Sequence, residues 1–195
     1  MEKYPKETTL KNGKRITLRL LEQDDIDSLV EFFKALPVED RMYLRSDVMK
    51  KENIVYRFGT INHEKMFPVI ALFENKIIAI GTIFRAEFGW MKNLGELRLV
   101  VARPFQRQGL CTILTKELFF HALTTDLYKI QAELMENQTQ AIGCFERLGF
   151  KKEAVLRKHV TDMNGIRQNL VIMSMDIQEM WLLMEDFVNR QFYIT

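Results

Sequence analysis

Hydrophobic and polar residues alternate along this chain with two periods, which separate predicted strands from predicted helices. A period of two and runs of β-favouring residues predict strands at Arg15–Leu20, 68–74, 76–85, 95–101, 128–135, 150–159 and 169–176. A spacing of three to four predicts helices at 23–36, from 106–111 through about 123, at 139–148 and at 178–192, with a short helix and loop within 38–58. No linker or repeat interrupts the series, which predicts one α/β domain.

Local signals mark where several of these elements begin and end. Asp24 is a candidate N-cap for the first helix, and Pro37 ends that helix. Asn75 separates two strands of a predicted hairpin, and a turn at 164–165 joins the last two strands. Gly149 follows a helix as an ordinary C′ glycine.

The composition of the 195-residue chain narrows the class of protein without selecting a function. Hydrophobic residues make up 47% of it, which excludes disordered and low-complexity classes. The 28 basic and 26 acidic residues leave a net charge of +2. So small an excess argues against an obligate nucleic-acid binder.

Residues that would mark a compartment or a metal site are few. Two isolated cysteines, Cys111 and Cys144, are too few for a disulfide framework and fit a reducing compartment. The three histidines are too scattered for common metal-ligand spacings, so we expect no metal. The first seven residues lack the apolar core of a signal peptide, and no apolar stretch approaches the ~20 residues that span a bilayer. We therefore expect a soluble cytoplasmic protein.

The segment between the strand at 95–101 and the next helix carries the candidate chemistry. Its sequence, Gln-Arg-Gln-Gly-Leu-Cys at 106–111, places backbone N–H groups at a helix N-terminus, where a phosphate can bind. Gly109 lets the backbone approach an anion, and Arg107 adds a positive charge. The segment is neither a Walker loop nor a dinucleotide fingerprint. On spacing alone, an anion site and an ordinary strand–helix turn both remain open.

The same segment resembles the acetyl-CoA signature of the GNAT superfamily of N-acetyltransferases, Gln/Arg-x-x-Gly-x-Gly/Ala, and departs from it only at Cys111. Its context is similar too, because the helix ending Phe-Glu-Arg-Leu-Gly-Phe at 145–150 resembles that family's aromatic-Glu-x-Leu-Gly-Phe ending. The resemblance covers about residues 13–177. Residues 10–45 also resemble a branch that contains protein-lysine acetyltransferase domains.

The resemblance implies an α/β fold of the α+β type, a mixed and mostly antiparallel sheet of six to seven strands flanked by helices. Two parallel strands, here 96–101 and 128–135, would splay apart to hold acetyl-CoA. Backbone groups of Val100 and Val101 would pair with the pantetheine arm. Asn137 matches a position that often reaches the pantetheine, and it also suits an N-cap. The pyrophosphate would be bound by the N–H groups of Gln106, Arg107, Gln108, Gly109, Leu110 and Cys111.

The reaction implied is direct transfer of an acetyl group from acetyl-CoA to a primary amine. Such an amine is mostly protonated at neutral pH, so a base must take its proton. Glu96 matches the position of a general-base Glu in many relatives, and pairing with Arg98 on the same strand face is the alternative role. The amide of Val100 or Val101 would stabilise the oxyanion. Phe145 stands where many relatives present a Tyr that protonates the leaving thiolate, which Phe145 cannot do.

The acceptor and the partners stay open at this point. The branch resemblance favours a protein lysine over a small amine such as a polyamine, amino acid or antibiotic. Charged residues Glu39, Asp40 and Asp47 fall where relatives build the acceptor entrance, although a solvated loop would have the same composition. A non-catalytic acetyl-CoA-binding sensor or docking module is the alternative function, because Phe145 and Cys111 depart from the pattern.

The chain divides into a core and an extension on this interpretation. Residues 1–177 are expected to form a single acetyltransferase domain, and residues 178–195 an amphipathic helical extension. The extension either covers the domain or makes a homodimer contact, and we expect no nucleic-acid or membrane partner. Its apolar face consists of Met180, Trp181, Met184, Phe187 and Val188.

Overall fold

The computed structural model describes residues 4–192, with side chains of the last helix described as far as Met184. The strands are β1 Lys6–Thr9, β2 Arg15–Leu20, β3 Met66–Phe73, β4 Lys76–Arg85, β5 Leu94–Val101, β6 Lys129–Met135, β7 Lys151–Thr161 and β8 Arg167–Asp176. They form one sheet in the order β1-β2-β3-β4-β5-β6-β8-β7. Neighbouring strands are antiparallel, apart from the parallel pair β5 and β6. This is the mixed sheet that the resemblance implied.

Helices pack on both faces of the sheet and bury a separate hydrophobic cluster on each. Helices α1 and α3 contribute to one cluster, and α4 and α5 contribute to the other. Strand β3 shows the division, because Val69 and Ala71 join the α4 cluster while Ile70 joins the α1 cluster. The helices are α1 Ile26–Lys34, α2 Val38–Arg41, α3 Lys51–Phe58, α4 Leu110–Leu123, α5 Thr139–Arg147 and α6 Ile177–Phe192.

The structure departs from the sequence prediction at the start of the chain. The sheet has eight strands rather than six to seven, since Lys6–Thr9 pairs with β2. This four-residue, largely polar edge strand has no hydrophobic alternation that would reveal it. The N-cap assignment to Asp24 is wrong, because a 3-10 turn precedes α1 and Asp25 takes the N-cap position. The Asp25 carboxylate bonds Arg19 at 2.5 and 2.7 Å instead of capping the helix.

The last helix follows β8 directly and packs from its first residue, because Ile177 is 4% exposed within the α4 cluster. Met180 packs against the same cluster, whereas Trp181 and Met184 are 39% and 38% exposed. The side chains of Phe187 and Val188, which complete the predicted apolar face, lie outside the described residues. Within residues 4–192, no helix is both long and apolar enough to cross a membrane.

Candidate active site

The two parallel strands at the centre of the sheet separate after three paired positions. Leu94, Gly95 and Glu96 pair with Lys129, Ile130 and Gln131, and the pairing stops there. Beyond this point β5 remains bonded to β4 and β6 remains bonded to β8. Residues 97–101 and 132–135 therefore face each other across a gap without pairing. We call this the β5–β6 gap.

The phase of the backbone along β5 decides which groups face the β5–β6 gap. The Ala102 N–H donates to the Ile78 carbonyl on the β4 side at 2.9 Å. Because successive residues alternate, Val101 and Leu99 direct their backbone groups into the gap and Val100 directs its groups toward β4. The Gln106 Nε2 donates to the Val101 carbonyl at 3.1 Å, which agrees with this assignment. Leu99 therefore takes the backbone position expected of Val100.

A run of free backbone donors lies at the end of the β5–β6 gap. Among the described residues, no acceptor bonds the N–H groups of residues 107–112, which we call the N–H loop. The expectation that the Gln106 N–H belongs to this run is wrong, because it donates to the Arg103 carbonyl at 3.2 Å. Arg107 and Gly109 both have positive φ, at 60° and 96°, so the chain turns sharply before α4 begins. Successive N–H groups in such turns form a concave anion site, and the α4 N-terminus adds its partial positive charge.

Gln108 fastens the N–H loop to the rest of the domain. Its Nε2 donates to the Pro104 carbonyl at 2.8 Å, and its Oε1 accepts from Asn12 Nδ2 at 2.7 Å. Its carbonyl accepts from the Lys11 N–H at 3.1 Å. A Cβ at Gly109 would lie 3.7 Å from Lys11 Cγ, which is ordinary contact, so the backbone φ rather than crowding requires glycine there.

A cavity of about 850 Å³ joins the β5–β6 gap to the N–H loop. Glu96 and Gln108 do not line this central cavity; Glu96 lines a smaller pocket beside it. Lys11, Glu133 and Arg147 also line the central cavity, and the sequence did not predict them, because no spacing along the chain indicates that their side chains reach it. The predicted site residues that line it are Val100, Val101, Gln106, Arg107, Gly109, Leu110, Cys111 and Asn137.

Glu96 lies at the last paired position before the strands part and is held by two arginines. Its Oε1 accepts from Arg98 Nε at 2.9 Å and forms an ion pair with Arg45 Nη1 at 2.8 Å. Its Oε2 accepts from Arg98 Nη2 at 3.2 Å. The pairing with Arg98 considered as the alternative role is therefore present, and Oε2 keeps a lone pair for a proton donor.

Arg45 links Glu96 to a second carboxylate across the β5–β6 gap. Its Nη2 lies 2.6 Å from Glu133 Oε2, and Gln131 Nε2 donates to Glu133 Oε1 at 3.1 Å. Glu133 lines both the central cavity and the smaller pocket. Two carboxylates therefore lie beside the gap, on the sheet face that carries α1 and α3.

The structure also defines the surroundings of Asn137 and Phe145. Gln138 rather than Asn137 is the N-cap of α5, so the capping role considered for Asn137 is wrong. The Asn137 side chain is exposed at the central cavity. Phe145 is 5% exposed and packs edge-on against Phe150, with ring centroids 4.9 Å apart.

The two cysteines meet at the wall of the central cavity. Cys144 Sγ on α5 lies 2.7 Å from Cys111 Sγ at the start of α4. Their mutual hydrogen bond lowers the pKa of Cys144, and the charges of Arg147 and Lys11 lower it further against the effect of burial. The same hydrogen bond, together with burial, raises the pKa of Cys111.

The sequence was compared with models of protein families and with curated protein sequences. A model of the Acetyltransferase (GNAT) family matches residues 27–150. A search of curated protein sequences returns no match.

Solved structures share the fold at low sequence identity. The GNAT domain of S. lividans PAT has a TM-score of 0.74 at 17% identity, covering 88% of this chain and 96% of that one. Spermidine N-acetyltransferase from Vibrio cholerae, in complex with CoA and spermine, gives 0.69 at 18% identity, with 84% and 96% covered. Ribosomal-protein-alanine N-acetyltransferase from Brucella melitensis gives 0.71 at 16%, with 82% and 98% covered.

Proposed function

This chain belongs to the acetyltransferase (GNAT) family of acetyl-CoA-dependent enzymes, and we propose that it acetylates a primary amine by direct attack on the thioester. The observation that carries the proposal is the continuity of the β5–β6 gap with the N–H loop, along one wall of the central cavity. The acetyl thioester supplies an activated acyl group. The two exposed strand edges of the β5–β6 gap suit the extended pantetheine arm of acetyl-CoA. The free donors of the N–H loop suit its phosphates.

The chain's own residues fit that co-substrate at its charged end. The unbonded N–H groups of residues 107–112 would hold the pyrophosphate, with Arg107 and Lys11 adding positive charge. Backbone groups of Val101 and Leu99 would pair with the pantetheine arm as an added strand does. Asn137 would contact the same arm from the turn after β6.

For proton removal we propose Glu96, acting through a water molecule. Within the described part of the chain its Oε2 accepts a single hydrogen bond, at 3.2 Å, while Oε1 contacts both arginines. Glu133, which itself lines the central cavity, would fix Arg45 and so position Glu96. A Leu99 or Val101 N–H directed into the gap would stabilise negative charge that develops on the thioester oxygen.

We place residues 1–177 in the catalytic domain, treat 178–195 as an extension, and propose a cytoplasmic enzyme. The packing of Met180 on the α4 cluster supports the extension as a cover for the domain. A homodimer contact through Trp181 and Met184 is the other role that their exposure supports.

An acceptor screen that follows thiol release from acetyl-CoA tests the proposed function. Calorimetry should show one acetyl-CoA bound per chain, and at least one amine should give turnover. Failure to bind acetyl-CoA would overturn the proposal. Binding without turnover for any amine or peptide would instead favour a sensor or docking module.

A further inference from the structure

Three arginines that line the central cavity, Arg57, Arg107 and Arg147, have no carboxylate partner among the described residues, and Arg57 is the one on the sheet face that carries Glu96. Arg57, in the last turn of α3, lines the cavity and makes no hydrogen bond or ion pair with any described residue. Its guanidinium carbon lies 5.9 Å from the centre of the Phe84 ring. Arg57 is half-buried, so its charge is only partly compensated by water.

The neighbouring charges make this site favour an anion. Arg45 and Arg98 are both occupied by carboxylates, Arg45 by Glu96 and Glu133 and Arg98 by Glu96. Three guanidinium groups thus face two carboxylates, and Arg57 is the unmatched one among these five residues. Burial and the charge of Arg98 lower the pKa of Arg57, and Arg45 adds to this while Glu96 opposes it.

Arg57 lies away from the positively charged side chains that are placed to bind phosphate. Lys11 and Arg107 lie at the N–H loop, after β5 has ended. Arg57 instead adjoins Phe84, over which Arg98 also stacks at 4.8 Å, on the sheet face that carries Glu96. An acceptor amine that reaches Glu96 would therefore extend toward Arg57.

We propose that the acceptor is an amine that also carries a carboxylate, and that Arg57 binds this carboxylate. Guanidinium and carboxylate groups match in geometry and charge, and the Phe84 ring lies within cation–π range of the Arg57 guanidinium. A polycation such as spermidine would meet an unmatched positive charge here. The inference rests on the proposed function, since it names the substrate class for the same site.

The two sources of such a carboxylate are a free amino acid and an acidic residue of a peptide. Matched acceptors distinguish them: glutamate against its diamide, which lacks both carboxylates, and aspartyl-lysine against asparaginyl-lysine peptides with blocked N- and C-termini. Spermidine serves as the cationic comparison. We expect kcat/KM to be at least about tenfold higher for the acidic member of one of these pairs.

The variant Arg57→Gln should remove that preference while the Kd for acetyl-CoA stays within about twofold of wild type. Arg157→Gln, on the exposed face of β7, is the matched control and should keep the preference. Equal kcat/KM within both pairs, or a preference for spermidine, would overturn the inference while leaving acetyl transfer intact.

Binding of an acetylated product tests the inference without requiring turnover. With CoA present, N-acetylglutamate should bind wild type at least about tenfold more tightly than Arg57→Gln, by calorimetry. If no acceptor turns over but this difference is found, the proposed function fails and the anion site stands. If neither N-acetylglutamate nor the aspartyl-lysine peptide acetylated on its lysine binds wild type more tightly than Arg57→Gln, the anion site is refuted.

Discussion

Arg98 contacts the Glu96 carboxylate side-on, with its Nε 2.9 Å from Oε1 and its Nη2 3.2 Å from Oε2. The two residues lie two positions apart on β5, so both point to the same sheet face. Two parallel hydrogen bonds fix the plane of the carboxylate as well as its position. This contact orients the group that we propose as the base.

Removing the Arg98 contact should slow turnover without weakening cofactor binding. We expect Arg98→Gln to lower kcat about tenfold, because Glu96 then keeps only Arg45 as an arginine partner. Arg98→Lys should recover part of the loss, since it restores charge without the two-point contact. Steady-state thiol release checks both, and wild-type kcat in Arg98→Gln would show that the contact does not position Glu96.

Replacing Gly109 with alanine should have two effects that can be measured separately: a loss of stability from backbone strain and weaker binding of acetyl-CoA. Gly109 and Gly165 have φ of 96° and 78°, and an added Cβ would meet no close atom at either. Alanine at either position should cost about 1 kcal/mol of unfolding free energy. Only Gly109→Ala should also weaken acetyl-CoA binding, by about tenfold, because it reshapes the N–H loop.

Urea unfolding and calorimetry measure the two effects separately, with Gly165→Ala as the control. Gly165 lies in the turn between β7 and β8, away from the central cavity. If Gly165→Ala weakened acetyl-CoA binding as much as Gly109→Ala did, the loss would reflect general strain rather than the N–H loop.

The two cysteines should differ in reactivity. Because the pKa of Cys144 is lowered and that of Cys111 raised, iodoacetamide should modify Cys144 first as the pH rises. In Cys111→Ala the midpoint for Cys144 should move up toward an ordinary thiol value, since its hydrogen bond is gone. Peptide mass mapping across pH measures this.

Acetyl-CoA should slow modification of Cys144, because that residue lines the central cavity. A Cys144 that reacts at the same rate with and without saturating acetyl-CoA would place the co-substrate elsewhere. Modification of Cys111 before Cys144 would contradict the assigned order of pKa values.

His121 should make stability depend on pH below neutrality. Its ring stacks on Phe67 with centroids 3.5 Å apart, and burial, with the charges of Arg85 and His63, lowers its pKa to about 4. Between pH 6.5 and about 4 the unfolded chain binds a proton that the folded chain does not. Stability therefore falls as the pH drops through this window.

After allowing for solvent screening of a partly exposed ring, this contribution is on the order of 1 kcal/mol. Urea unfolding near neutral pH and at about pH 4.5 should show a larger loss for wild type than for His121→Gln. An equal loss in both proteins would mean that His121 does not contribute to the pH dependence.

Elements with strong local signals could be predicted from the sequence, and contacts between distant segments could not. The signature at 106–111 and the strands around it carry their own pattern, so the sequence predicts a run of backbone donors before the helix, whereas the loss of the Gln106 N–H to the Arg103 carbonyl depends on the turn geometry. Arg57 and Glu133 belong to α3 and β6, and only folding brings them to one cavity. The direction of the Val100 backbone depends on the Ala102–Ile78 bond, which no pattern in one strand specifies.

The most direct measurement is turnover of wild type and Glu96→Gln at saturating acetyl-CoA, with Glu133→Gln alongside and acetyl-CoA binding measured for each. We expect Glu96→Gln to lower kcat by about 10²- to 10³-fold with the Kd unchanged, and Glu133→Gln to lower it less. Wild-type turnover in Glu96→Gln would contradict its role as base. A larger loss in Glu133→Gln would assign that role to Glu133 instead.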